Sequence, residues 1–148
     1  LMPTNLYGPN DNFDETSSHV IPGLIRRMYD STLNNSPKFS VWGDGSPLRE
    51  FLYVDDLSLA VKFILENKID DDLINIGYGE EISIKDLANK IKKIIGYEGE
   101  IEFDSTKPNG NPRKLLDASL IKNYGWKPKY ELDEGLELSF KWYKKNLD

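Results

Sequence analysis

The sequence of 148 residues is 39% hydrophobic and 30% charged, with 25 acidic against 19 basic side chains and a formal net charge of −6. A chain of this size can bury one core, and its acidic balance opposes the broad basic footprint that nucleic-acid binding requires. With no cysteine and one histidine, it excludes disulfides and leaves too few soft ligands for zinc, so no metal is expected.

No apolar run is long enough to span a bilayer and no signal-peptide pattern opens the chain, so a cytoplasmic protein without a membrane partner is expected. The run Leu1-Met2-Pro3-Thr4-Asn5-Leu6-Tyr7 ending at Gly8-Pro9 reads as the end of an internal strand entering a loop, which places the natural start upstream. After a polar loop, Ile21, Leu24, Ile25 and Met28 fall on one face of a helix from about His19 to Leu33, with Pro22 tolerated in its first turn. A strand near Phe39–Trp42, the turn Gly43-Asp44-Gly45-Ser46-Pro47 and a strand at Glu50–Val54 follow. Asp55 or Asp56 is suited to cap the next helix, with Leu57, Ala60, Val61, Ile64 and Leu65 as its buried face.

Leu73–Ile76 reads as a strand closed by Gly77-Tyr78-Gly79, and Ser83 with Asp86 forms a capping box before the stripe Ile84, Leu87, Ala88, Ile91, Ile94. Ile101–Phe103 is a further strand. The segment from Asp104 to Leu116 is rich in Pro, Gly, Asn and Lys, long for a connection, and therefore a candidate binding loop. A last helix from about Asp133 to Leu147 buries Leu136, Phe140, Tyr143 and Leu147, with Lys141, Lys144 and Lys145 at the negative end of its dipole. Helices alternating with short strands give an α/β class.

Three patterns carry chemistry. Pro3-Thr4-Asn5-Leu6-Tyr7-Gly8-Pro9 sets Thr and Asn beside a turn at a strand end, where α/β sheets meet ligands; taken alone it reads first as a capped turn. Gly43-Asp44-Gly45 before Arg49-Glu50-Phe51-Leu52-Tyr53-Val54-Asp55-Asp56, and Asn75-Ile76-Gly77-Tyr78-Gly79 before the Ser83 helix, complete the set. In this order they resemble the extended short-chain dehydrogenase/reductase superfamily of sugar-nucleotide epimerases, dehydratases and reductases, over essentially the whole chain. Asp11-Asn12-Phe13, Ser18-His19-Val20-Ile21-Pro22 and Lys107-Pro108-Asn109-Gly110-Asn111-Pro112-Arg113-Lys114-Leu115-Leu116-Asp117 resemble its GDP-L-fucose synthase branch in particular.

The resemblance implies the C-terminal, substrate-binding portion of such an enzyme, lacking most of the Rossmann domain. Residues 1–9 would end that domain, and 10–148 would form the substrate domain with some elements packing back on the sheet. The implied reaction epimerises GDP-4-keto-6-deoxy-mannose at C3 and C5 and reduces it at C4 with NADPH, in a homodimer. Proton exchange beside a ketone needs an acid and a base near neutral pH, which suits an imidazole. The resemblance makes His19 the catalytic acid, with a partner cysteine upstream. It also implies that Pro3, Thr4, Asn5, Leu6 and His19 contact NADP(H), and that Arg27, Trp42, Arg49 and Asn109 contact the GDP-sugar, as guanidinium forks and an aromatic wall suit a nucleoside diphosphate. The branch usually has Asp where this chain has Asn109, which keeps an acceptor without the charge, and a histidine at Asn10.

Each residue also has a plainer reading: His19 as a helix cap, Arg27 as a solvated helix residue, Trp42 as a core aromatic, Arg49 as an ion-pair partner of Asp55 or Asp56. No tyrosine is followed by lysine four residues later, and no Gly-rich pyrophosphate turn occurs, so the hydride-transfer machinery is expected outside this chain. The rivals are another epimerase or dehydratase of the superfamily, and a nucleotide-sugar-binding domain without catalysis.

Overall fold

The structure, a computed structural model, describes residues 1–147. Two short strands, β1 (Met2–Pro3) and β2 (Asn5–Tyr7), lead through a polar loop into α1 (Val20–Leu33) and β3 (Lys38–Trp42). Next come β4 (Leu48–Arg49), β5 (Phe51–Tyr53), α2 (Val54–Glu66), β6 (Asn75–Ile76), β7 (Ile82–Ser83) and α3 (Ile84–Ile95). β8 (Glu100–Asp104), β9 (Arg113–Lys114), α4 (Ser119–Asn123) and α5 (Leu132–Lys145) complete the mixed α/β chain. β1 pairs with β6, β2 with β5 and β3 with β8, all parallel, while β4 lies between antiparallel β7 and parallel β9.

β5 divides the interior. Phe51 and Tyr53 face a core built with Tyr7, Leu24, Met28, Leu87 and Leu136, whereas Leu52 faces a second core with Ala60, Ile76, Ile121 and Trp126. This is the two-sided burial of a parallel strand, with alternate residues serving opposite layers. Each fully buried Leu or Ile contributes about 1.5–3 kcal/mol of transfer free energy.

α3 forms as its sequence dictates: the Ser83 hydroxyl oxygen accepts the Asp86 amide at 3.0 Å, and Gly96 ends the helix at φ +78. α2 differs from expectation. Its inward stripe is Asp56, Ala60 and Ile64, while Val61 and Leu65 are 37% and 72% exposed. Its N-cap is Tyr53, and neither acid caps it by side chain. Asp56 is instead wholly buried and accepts the amides of Lys129 and Tyr130 at 2.8 and 3.1 Å. α5 starts and stops a little earlier than its periodicity suggests, leaving Leu147 exposed; β9 arises inside the 104–116 segment read as loop, and α4 in a stretch to which the sequence assigned no element. No helix among the described residues is long and apolar enough to cross a membrane.

Candidate functional site

β2 runs beside β5 with Asn5 opposite Phe51 and Tyr7 opposite Tyr53, and the chain then leaves the sheet at Gly8-Pro9. There the turn, the start of α1 and Arg49 enclose a cleft of about 590 Å³, at the kind of strand end where α/β sheets bind ligands. Thr4, Asn5, Leu6, His19 and Arg49 line it together. Pro3 precedes this wall in β1; Arg27, Trp42 and Asn109 lie elsewhere.

The wall is braced from behind. Asn5 Nδ2 donates to the Glu50 carbonyl at 2.8 Å, and Thr4 Oγ1 points to the same oxygen at 3.5 Å. Ile21, Phe51 and Val54 add an apolar lining to these polar groups, the mixture usual in a small-molecule site.

His19 occupies the N-cap position of α1, but its side chain makes no capping hydrogen bond; its carbonyl accepts the Gly23 amide at 2.9 Å. The imidazole is therefore not used as a cap. The loop that delivers it is stiffened by Asp14, whose Oδ1 accepts from the amides and hydroxyls of Thr16 and Ser17 at 2.8–3.0 Å. Those hydrogen bonds, Thr16's first, hold the Asp14 carboxyl well below the usual carboxylate range. Phe13 anchors the same loop by stacking on Tyr143 at 4.6 Å between ring centroids. Asp11 also lines the cleft, with Oδ2 buried and without a hydrogen-bond partner among the described residues.

The arginines divide into two kinds. Arg26 pairs with Asp30 and Arg113 with Glu81, but neither Arg27 nor Arg49 forms an ion pair among the described residues. Among the described residues Arg49 donates only to its neighbour's carbonyl, Leu48 O, at 2.7 Å, so the expected pairing with Asp55 or Asp56 does not occur. Arg27 is no freely solvated helix residue: its guanidinium lies 5.5 Å from the Phe39 ring centroid, and burial lowers its pKa. In a chain with an excess of acids, two guanidiniums that form no ion pair among the described residues are available to an anion.

Trp42 is 64% exposed and so is no core aromatic. It alternates along β3 with buried Phe39 and Val41, and Lys107 Nζ stands 5.8 Å over its ring. The loop of Lys107 is clasped to the next turn, where Asn109 Oδ1 accepts the Asp44 amide at 2.8 Å. A Cβ at Gly110 would lie 3.6 Å from Arg49 Nη2, so the same loop passes close to the cleft's arginine. Glu50 and Asp44 escaped the sequence reading as site residues because their partners are distant in sequence, and Asp11 because only the fold brings it to the cleft. No cluster of three or more acidic or histidine side chains suited to a metal occurs among the described residues.

Residues 1–77 match the NAD dependent epimerase/dehydratase family. The chain is similar to GDP-L-fucose synthase 1 of Arabidopsis thaliana, 49% identical over 146 residues that make up 99% of this chain and 45% of that protein. It is 43% identical to the GDP-L-fucose synthase of Escherichia coli (strain K12), covering 100% of this chain and 49% of the relative. In three dimensions it matches a GDP-L-fucose synthetase from Naegleria fowleri bound to NADP, with a TM-score of 0.87 and 30% identity over 99% of this chain and 46% of that one. The chain thus spans just under half the length of these relatives.

Proposed function

The chain belongs to the NAD dependent epimerase/dehydratase family, and from that premise we propose that it is the substrate-binding half of a GDP-L-fucose synthase. The whole enzyme would convert GDP-4-keto-6-deoxy-mannose to GDP-L-fucose, by epimerisation at C3 and C5 and reduction at C4. One observation carries this reading: Arg49, a guanidinium without an ion-pair partner among the described residues, lines the same cleft as His19 and the Thr4–Leu6 wall.

In this reading His19 is the acid that returns a proton to the sugar, free to do so because α1 does not use its side chain. Arg49 and Arg27 hold the diphosphate, Trp42 offers a face to the nucleotide, and Asn109 keeps the loop carrying Lys107 in place. Pro3, Thr4, Asn5 and Leu6, with His19, hold part of the nicotinamide cofactor, whose reduced form supplies the hydride for C4. Residues 1–9 close the cofactor domain and the remainder forms the substrate domain of a cytoplasmic homodimer. The relatives named GDP-L-fucose synthase and the NADP-bound neighbour support the assignment.

The test is turnover of GDP-4-keto-6-deoxy-mannose with NADPH by the full-length protein, followed by product identification. GDP-L-fucose is expected from the full-length protein and none from this chain alone. A folded full-length protein that binds NADPH but leaves the keto sugar untouched would sink the assignment.

A further inference from the structure

Among the described residues, Glu50 and Asp56 are the acids with no exposure to solvent. A buried carboxylate is costly unless its oxygens are satisfied, and an apolar residue of similar volume is often at least as stabilising in its place. Both are satisfied by backbone amides, but in different places. Glu50 Oε1 accepts Gly79 N at 2.6 Å and Oε2 accepts Leu116 N at 3.2 Å. Gly77 leaves the room this requires, since a Cβ there would come within 2.5 Å of Oε1. The carbonyl of the same residue receives the Asn5 and Thr4 side chains.

Glu50 thus stands between two cleft residues, Arg49 and Phe51, and ties together the cofactor-side wall, the Gly77–Gly79 turn and the end of the 104–116 loop. Arg49 depends on such a tie. Among the described residues no carboxylate holds its guanidinium and its one hydrogen bond is to the adjacent carbonyl, so the backbone at 48–50 sets where its fork points. We propose that Glu50 is a positioning residue: its buried carboxylate fixes the Arg49 segment against the 77–79 turn and the substrate loop, and so aims Arg49 at the diphosphate. This rests on the reading of Arg49 as the diphosphate ligand.

Asp56 provides the control. It also accepts two backbone amides while wholly buried, but its partners Lys129 and Tyr130 do not line the cleft. In Glu50→Gln one acceptor becomes a donor facing an amide, which leaves a buried N–H unpaired; Asp56→Asn does the same away from the cleft. The experiment measures melting temperature and calorimetric GDP affinity in the full-length wild type and both variants. Both variants are expected to melt earlier, and Glu50→Gln alone to lose roughly tenfold or more in GDP affinity. Should Glu50→Gln not fold, Glu50→Asp, which keeps the charge one methylene short of its partners, is titrated in its place. Wild-type GDP affinity in a folded Glu50 variant, or an equal loss in Asp56→Asn, overturns the positioning role. Failure of the wild type to bind GDP instead overturns the diphosphate reading on which it rests.

Discussion

Asn109 and Asp44 are joined across 65 residues of sequence by a hydrogen bond of 2.8 Å from the Asp44 amide to Asn109 Oδ1. Gly43, at φ +81, admits this approach, because a Cβ there would collide with the Asn109 oxygen. An amide suits the position, since the Asp44 carboxylate is close by, kept ionised chiefly by its hydrogen bonds to Ser46 and also by Asn109. Asn109→Ala should release the loop that carries Lys107 over Trp42. An exposed hydrogen bond of this kind contributes about 0.5–1.5 kcal/mol, so GDP affinity should fall roughly two- to tenfold by calorimetry. An unchanged affinity would place the clasp outside the nucleotide site.

His19 sits at the N-cap of α1 without capping it, which separates its chemical role from its structural one. Asn is among the preferred N-cap residues, so His19→Asn should melt no earlier than the wild type while solvent deuterium enters C3 and C5 of the keto sugar more slowly. NADPH binding, followed by fluorescence quenching, should largely persist. Exchange at the wild-type rate would remove His19 from the chemistry.

How far the sequence discloses this molecule depends on the range of the interactions. α3 was legible because Ser83, Asp86 and Gly96 act within one helix. α2 was legible only in part: Ala60 and Ile64 are buried as expected and Leu57 packs on the core, but Leu59, Val61 and Leu65 offer further apolar side chains that stay exposed. The inward face is chosen by Asp56, whose amide partners lie 73 and 74 residues away. The cleft behaves likewise: Thr4, Asn5, His19 and Arg49 stand in recognisable motifs, whereas Glu50's tie to Gly79 and Leu116, and Asn109's to Asp44, exist only once the chain has folded.

The Asp14 turn gives a prediction in pH. A carboxyl whose folded pKa is depressed contributes stability that is complete above its unfolded value, about 3.9, and is lost as pH falls through the lower folded value. The loop leading to His19 should therefore keep its structure under acid conditions that protonate ordinary carboxylates. The carboxyl carbon of Asp14, followed by NMR, should titrate well below the ordinary aspartate value of about 3.9, and Asp14→Asn should loosen the Thr16 and Ser17 amides in hydrogen exchange at neutral pH. Titration of Asp14 at the ordinary aspartate value would contradict the hydrogen-bond account.

The arginines and Trp42 should respond differently to salt. Losing a charge-assisted contact costs about 1.5–3 kcal/mol, so Arg49→Ala should weaken GDP binding by roughly one to two decades, and less so as ionic strength rises. Arg27 is partly buried against Phe39, so its charge is screened less. Arg27→Ala should lose GDP affinity with a shallower salt dependence and also lower the melting temperature through lost packing. Arg27→Lys should recover little, since a lysine restores the charge but not the planar fork or the stacking. Trp42 is exposed and contributes an aromatic face, so Trp42→Ala should weaken GDP with little salt dependence. Calorimetric titration of GDP into the full-length variants at two salt concentrations distinguishes the three. Unchanged affinity in both Arg27→Ala and Arg49→Ala would make these residues structural. The diphosphate would then have to be sought near Lys107 and Lys114, because Arg113 is already held by Glu81 through three hydrogen bonds of 2.7–3.0 Å.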